Sequence, residues 1–426
     1  MPGKVYKKRI LDQLLAERLE EVGAVLIEGP KWCGKTTTAL QHARSKIMLA
    51  NPDELKQSKS MLSASASYLL NGHTPRLFDE WQTIPELWDY IRYEVDQRDE
   101  EGQFILTGSA IPSESDKIIH TGTGRFAWIT MRPMSLWESE ESSGEVSLRS
   151  VFDGELHIEG ENKHTLEDIA FLLCRGGWPS SLGRSSRAAL RVASDYYDAV
   201  VKTDFVRVDN TLRNQNRSRM LLRSLARLQG TQTSIAVIRQ DMLSNDENTL
   251  AENTVASYIE ALRKIFVVED MPAWSTNLRS KTVIRTTPTR YFVDPSIAVA
   301  ALGVAPKDLM NDLNTFGFLF EAMAVRDLRV YADALDAKVY HYRDKDELEC
   351  DVVMELRNGR YGLIEIKLGG QDNVALASNQ LRKLASKIDT GRVGEPAFRM
   401  VLTAVGNRAY QQGDGTLVVP IGCLKD

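Results

Sequence analysis

Gly29-Pro30-Lys31-Trp32-Cys33-Gly34-Lys35-Thr36 is the stretch from which the fold of this chain can be read. It matches the pattern G-x-x-x-x-G-K-[ST] in full. Ahead of it, Ala24-Val25-Leu26-Ile27 is a short apolar run that reads as a buried strand. Behind it, Thr37-Thr38-Ala39-Leu40-Gln41-His42-Ala43 can open a helix. Strand, loop and helix in that order are the context the pattern needs. In such a loop, backbone N–H groups and the helix N-terminus cradle phosphate oxygens. Lys35 is expected to reach the β- and γ-phosphates of a nucleotide, and the Thr36 hydroxyl to hold Mg²⁺. The expected cradle runs from Gly29 and Pro30 through Lys31, Trp32, Cys33 and Gly34 to Lys35, Thr36 and Thr37.

Working outward, Arg76-Leu77-Phe78-Asp79-Glu80 places an acidic pair at the end of a short apolar segment. Asp79 suits the Mg²⁺ shell, and Glu80 suits polarising the attacking water. A helix is expected from near Pro85. Gln103 to Ser109 reads as a further strand ending in small polar residues. In a parallel sheet the strand ends line the ligand crevice, so Thr107 or Ser109 can sense a γ-phosphate. Arg125, just before Phe126-Ala127-Trp128-Ile129, is a candidate for positive charge on the phosphates, in its own subunit or a neighbour's; a plain surface arginine is the alternative.

The order Gly29–Thr36, Leu77–Gln82, Leu106–Ser109 and Gly124–Glu138 resembles a group of bacterial and archaeal AAA-type ATP-binding proteins. Their C-terminal half is a domain of unknown function, the one numbered 4143. The resemblance continues through Gly176-Gly177-Trp178-Pro179, Tyr196–Asp204 and Phe318–Glu321, and so spans nearly the whole chain. Trp32-Cys33 departs from the polar or small residues usual there, while the phosphate-binding residues are intact. The resemblance implies ATP binding and hydrolysis.

Downstream, Glu138 to Gly144 is acidic and Ser-rich and reads as an exposed connection. Helical periodicity returns at Leu166, Ile169 and Leu173, and again over Ala188 to Val208. Gly176-Gly177 suggests close backbone approach, either toward the nucleotide or in a structural turn. Arg207, Arg213, Arg217, Arg219, Arg223 and Arg227 form a dense basic run, which reads equally as a phosphate-backbone contact or a solvated helix face. Thr249 to Leu262 resembles a recognition-type helix, followed by a strand at Ile265-Phe266-Val267-Val268 and by Arg279, Lys281, Arg285 and Arg290. That is the order of a winged helix-turn-helix, a module that binds DNA or serves protein packing.

In the C-terminal part, Gly317 to Val325 is a buried helix carrying Glu321. Strands are expected at Lys338–Tyr342, Glu349–Leu356 and Arg360–Lys367, the last two joined by the Asn358-Gly359 turn. Asp351 and Glu365 on paired strands, with Lys367 two residues on, fit a metal-dependent phosphodiesterase site holding a second Mg²⁺ or Mn²⁺. Alternate strand positions share a face, so Glu365 and Lys367 point into one pocket. The constellation resembles the restriction-endonuclease-like fold with its D…E-x-K motif. Glu321 and Gln380 stand where related nucleases keep an extra acid and a helix glutamine. The E-x-K pattern alone is unspecific, because [DE]-x-K also occurs at Glu54, Glu161 and Asp336.

The 426 residues suffice for two to four domains. With 43% hydrophobic and 26% charged residues, the composition is that of a soluble globular protein. The formal net charge of −5 argues against nucleic-acid binding by the whole surface. The polar, basic start up to Arg9 predicts no secretory signal, and four scattered cysteines predict reduced thiols in a cytoplasm. The expected architecture is α/β: a P-loop NTPase parallel-sheet domain over 1–140, a linker and helical region over 141–235, a winged-helix-like region over 236–295, and a small restriction-endonuclease-like domain over 296–426. The leading expectation is an Mg²⁺-dependent ATPase acting as a nucleotide switch or motor. An ATP-gated nuclease acting on DNA and a non-enzymatic nucleotide-dependent scaffold are the alternatives. ATP is the expected ligand; DNA, a protein partner or a second copy are candidate partners; no membrane is expected.

Overall fold

The computed structural model describes residues 5–109, 123–205, 213–243, 250–275, 287–388 and 390–426. Contacts divide the chain into two compact units. The first takes in Met1–Pro133, Asp204–Arg213 and Ala261–Val267; the second takes in the rest.

In the first unit, five parallel strands form one sheet: β1 (Ala24–Glu28), β2 (Ser45–Met48), β3 (Arg76–Asp79), β4 (Phe104–Gly108) and β5 (Phe126–Thr130). Their spatial order is β2-β3-β4-β1-β5, so β4 lies between β1 and β3. Helices α1 (Ile10–Glu21), α2 (Lys35–His42), α3 (Pro52–Ala64), α4 (Ala66–Leu70) and α5 (Leu87–Arg98) belong to the same unit. Alternation along the strands explains why they read as continuous apolar runs. Val25 and Ile27 of β1 join Leu77, Ile105, Leu11, Leu15 and Ala39 in one core. Ala24 and Leu26 join Phe78, Phe104, Leu106, Leu87 and Ile91 in another. Both faces of the sheet are therefore covered, which is what a parallel sheet requires. Trp88 stacks on Phe126 at 3.9 Å between ring centroids and fastens α5 to β5.

The second unit is built on a mixed sheet with order β10-β11-β12-β13-β15-β14-β7. Its strands are β7 (Gly160–Glu161), β10 (Ala337–Arg343), β11 (Glu349–Leu356), β12 (Tyr361–Lys367), β13 (Phe398–Thr403), β14 (Arg408–Gln411) and β15 (Leu417–Pro420). β11 and β12 form the expected antiparallel hairpin, and α15 (Gln371–Lys387) carries the chain from β12 to its parallel neighbour β13. Tyr361 and Leu363 of β12 pack with Val374, Ala377, Leu381 and Leu384 of α15. The same face turns charged two and four residues on, at Glu365 and Lys367.

Helices α6 (Leu148–Phe152), α7 (Leu166–Arg175), α8 (Ser186–Ala199), α9 (Gln215–Arg227), α10 (Ile235–Leu243), α11 (Glu252–Lys264), α12 (Pro295–Leu302), α13 (Pro306–Asn311) and α14 (Leu313–Ala334) lie along the rest of the chain. The start of α7 is set by Thr165, whose hydroxyl accepts from Asp168 N–H in a capping box. A two-stranded sheet pairs β8 (Val268–Met271) with β9 (Thr289–Phe292).

Several expectations differ from this architecture. The segment over 138–144 is no exposed linker: Glu138, Ser139 and Ser142 are buried. Glu138 accepts from Ser135 N–H, and the Ser142 hydroxyl donates to the Leu424 carbonyl. The polar stretch that follows joins the C-terminal strands, with β6 (Val146–Ser147) beside β16 (Leu424–Lys425) and β7 beside β14. Serine and carboxylate side chains here satisfy backbone groups, so their polarity does not report exposure. The strand expected at 265–268 begins only at Val268, because Phe266 adopts a left-handed turn with φ 56° and Val267 N–H returns to the Leu262 carbonyl. Thr249, Arg207, Val208, Arg279, Lys281 and Arg285 lie outside the described residues.

Gly176-Gly177 answers to packing within the second unit. Gly176 closes α7 with φ +71°, and a Cβ on Gly177 would stand 2.2 Å from the Met134 carbonyl oxygen. Three arginines of the basic run have partners here: Arg213 lies buried over the Phe205 ring, Arg219 faces Asp198, and Arg227 pairs with Asp241.

Candidate functional site

Register determines where the chemistry of the first unit collects. Glu28 lies beside Gly108, and Asp79 beside Thr107, so β1, β3 and β4 end at one edge. The loop after β1 crosses this edge before entering α2. Gly29 (φ +146°) could carry no side chain, since a Cβ would meet the Met131 carbonyl oxygen at 2.1 Å. Gly34 is the left-handed N-cap of α2. The first N–H groups of α2 have no partners within the helix, which leaves them available to an anion. Arg9 braces the loop from outside: its guanidinium donates to the carbonyls of Cys33 and Arg132, each at 2.9 Å.

Lys35 is buried, and its ammonium donates to the carbonyls of Gly29 and Pro30, both at 2.8 Å. The Thr36 hydroxyl donates to Asp79 Oδ1 at 2.6 Å, and the Thr107 hydroxyl donates to the same oxygen at 2.7 Å. Thr107 Oγ1 also accepts from Glu80 N–H at 3.2 Å, so one side chain ties both acidic residues to β4. Glu80 itself sits in a left-handed conformation, φ 57° and ψ 47°. Ser109 Oγ donates to its Oε2 at 2.9 Å. These groups suit a nucleotide phosphate chain with Mg²⁺: an anion cradle of backbone N–H groups, a buried ammonium, and a hydroxyl and carboxylate side by side.

The rest of the expected cradle has other partners. Lys31 pairs with Asp204 at 2.5 Å. Trp32 is half exposed in a left-handed conformation (φ 66°), Cys33 is buried, and Thr37 is exposed. Arg125 does not join the site of its own chain. It precedes β5 at the amino edge of the sheet, where its carbonyl accepts from Ala24 N–H, and its guanidinium pairs with Asp96. A five-residue parallel strand separates it from the phosphate loop, roughly 16 Å at about 3.3 Å per residue. Sequence order could not show this, because a residue before a strand and one after it differ only in which edge they reach. Gln82 was not singled out by the motif: its amide Nε2 donates to Glu80 Oε2.

In the second unit, Asp351, Glu365 and Lys367 meet. The Lys367 ammonium donates to Asp351 Oδ2 at 3.2 Å and to Glu365 Oε2 at 2.7 Å. Asp351 Oδ2 also accepts from Ile366 N–H at 2.7 Å, which locks the hairpin around it. Burial pushes the Glu365 carboxyl well above its usual range, with Asp351 adding to the shift and Lys367 opposing it. Burial pulls the Lys367 ammonium down, but the Asp351 and Glu365 carboxylates outweigh it and hold it above its usual value. Glu321 on α14 is a nearby acid: burial, reinforced by Asp351, pushes it up to about 8, while the Tyr291 hydroxyl donates to its Oε1 at 2.6 Å. Gln380 is elsewhere occupied, donating to the Glu349 carbonyl. The expected second Mg²⁺ or Mn²⁺ at Asp351 and Glu365 finds no support, because among the described residues no group of three or more His, Cys, Asp or Glu side chains is disposed to hold a metal ion. The ammonium of Lys367 lies within reach of both acidic side chains.

Comparison with known proteins matches three regions of the chain. Residues 22–140 match an AAA domain. That match supports ATP binding at the loop of the first unit. Residues 316–424 match a domain of unknown function (DUF4143), and residues 166–308 match another (DUF8612). Uncharacterized proteins of Mycobacterium tuberculosis and Mycobacterium bovis are each 23% identical over 383 residues, covering 87% of this chain and 77% of theirs. A Walker-type ATPase of Pyrococcus abyssi aligns at a TM-score of 0.42 and 16% identity, covering 68% of this chain and 94% of its own. Among the described residues, no helix is long and apolar enough to cross a membrane.

Proposed function

We propose that the AAA domain binds and hydrolyses ATP with Mg²⁺, and that the chain works as a nucleotide-driven switch or motor. One observation carries this reading: Thr36 of the phosphate loop and Thr107 of β4 donate to the same oxygen of Asp79. Three distant segments thereby supply phosphate cradle, metal-side carboxylate and sensor hydroxyl at one strand edge. Lys35 and the loop N–H groups take the phosphates, and Thr36 and Asp79 hold the metal. Bound Mg²⁺ would neutralise charge on the phosphate oxygens. Glu80 accepts a proton from the water that attacks the γ-phosphorus, as the bond to the β-phosphate oxygen breaks and ADP leaves. Lys31 and Thr37 are exposed. Glu80→Gln should retain ATP affinity by calorimetry and stop phosphate release; a variant that turns over at the wild-type rate would remove Glu80 from this role.

A second reading, an ATP-gated nuclease, rests on the convergence of Asp351, Glu365 and Lys367 at the end of the β11–β12 hairpin. The full chain incubated with DNA and RNA forms, ATP and Mn²⁺ tests it. Cleavage that disappears in Asp351→Ala while ATP turnover persists supports this reading, and no cleavage by the wild type removes it.

A further inference from the structure

Gln82 follows the acidic pair by two residues, in a short 3₁₀ turn over Trp81–Thr83. Its amide faces Glu80, and a carboxylate can only accept hydrogen bonds, so Nε2 must be the atom turned toward it. The carbonyl oxygen Oε1 is thereby turned away. That oxygen is buried and has no hydrogen-bond partner among the described residues. It lies against the end of β4, where a Cβ on Gly108 would stand 3.2 Å from it. Ser109 Oγ donates to the same Glu80 oxygen, Oε2, at 2.9 Å. Two donors from different elements therefore converge on one oxygen of a residue whose backbone is already held in a left-handed conformation.

A glutamine kept for packing alone would be matched at both ends or replaced by an apolar side chain of similar volume. Burying an unpaired carbonyl oxygen costs stability. Residues retained at such a cost gather where function constrains them. We infer that Gln82 is a positioning residue for ATP hydrolysis: with Ser109 it fixes Oε2 of Glu80, so that Oε1 is the oxygen presented to the attacking water. The inference rests on the ATPase reading above. It adds a residue that acts through Glu80.

The test compares full-length wild type, Gln82→Leu, Glu80→Gln, the double variant and Lys35→Ala, with MgATP as substrate. Gln82→Leu should lower kcat about tenfold or more, leave KM for ATP unchanged, and leave the melting temperature unchanged or higher. In single-turnover measurements at high enzyme concentration, the residual rate of Glu80→Gln should not fall further when Gln82→Leu is added, because residues acting through one group are not additive. Gln82→Met repeats the measurement with an unbranched side chain should leucine disturb the packing. Wild-type kcat in either variant, or a loss of turnover that tracks a lower melting temperature, overturns the inference alone. Wild-type turnover no faster than Lys35→Ala removes the ATPase reading, and the role of Gln82 with it.

Discussion

The Thr36 hydroxyl and the Asp79 carboxylate lie 2.6 Å apart although 43 residues separate them in the chain. Parallel registration of β3 with β4, and of β4 with β1, brings this pair together. Thr107 then fastens Asp79 from the side at 2.7 Å. The pair joins the loop after β1 to the acidic end of β3.

Lys35→Ala should weaken ATP binding by about tenfold to a hundredfold, the worth of a charged hydrogen bond of roughly 1.5–3 kcal/mol. The variant also strips two loop carbonyls, those of Gly29 and Pro30, of their donor. Calorimetry with MgATP checks the affinity, and a circular-dichroism melt checks that the fold survives. Unchanged affinity would contradict the assignment of the loop.

Arg326 is the most exacting position in the second unit. It is 2% exposed and donates to Asp294 and Asp327, both fully buried. Asp294 also accepts from the N–H groups of Gly177 and Ser296, and Asp327 from that of Leu136, so the trio joins three segments to α14. Arg326→Met leaves two uncompensated buried carboxylates and should cost about 3–5 kcal/mol in urea unfolding. Adding Asp294→Asn and Asp327→Asn should recover part of that loss. A single variant as stable as wild type would show that the charges are not what holds these segments.

Stability should fall as pH rises from about 5 to 8. Burial raises Glu321 to about 8 in the folded chain, and Glu365 is raised as well. A raised carboxyl binds its proton more tightly folded than unfolded, so its contribution is complete below the unfolded value near 4.5 and is lost as pH climbs through the folded value. Glu321→Gln keeps an acceptor for the Tyr291 hydroxyl and removes the titration. Urea midpoints measured between pH 5 and 9 should therefore slope less steeply in the variant. An identical slope would place the pH dependence elsewhere.

The legible parts of this chain were the local ones. Gly29–Thr36 spelled out strand, loop and helix because a phosphate loop is made by consecutive residues, with Gly29 where a side chain would strike Met131. The β11–β12 hairpin was legible for the same reason: alternation and an Asn-Gly turn act over a few residues. The segment over 138–144 misled because acidic and serine side chains suit exposure and also suit the satisfaction of buried backbone groups. The position of Arg125 was not legible, because only strand direction separates the two edges of a sheet.

By itself, the sequence determined the loop, the acidic strand end and the E-x-K hairpin, since each depends on neighbours in the chain. Tertiary structure alone decided that β4 stands between β1 and β3, and so that Thr107 and Ser109 reach Asp79 and Glu80. It also turned the Gln82 amide toward Glu80 and set Lys367 between Asp351 and Glu365. Strand order, and the burial that shifts a carboxyl such as Glu321, arise from packing between distant segments, and no local spacing encodes them.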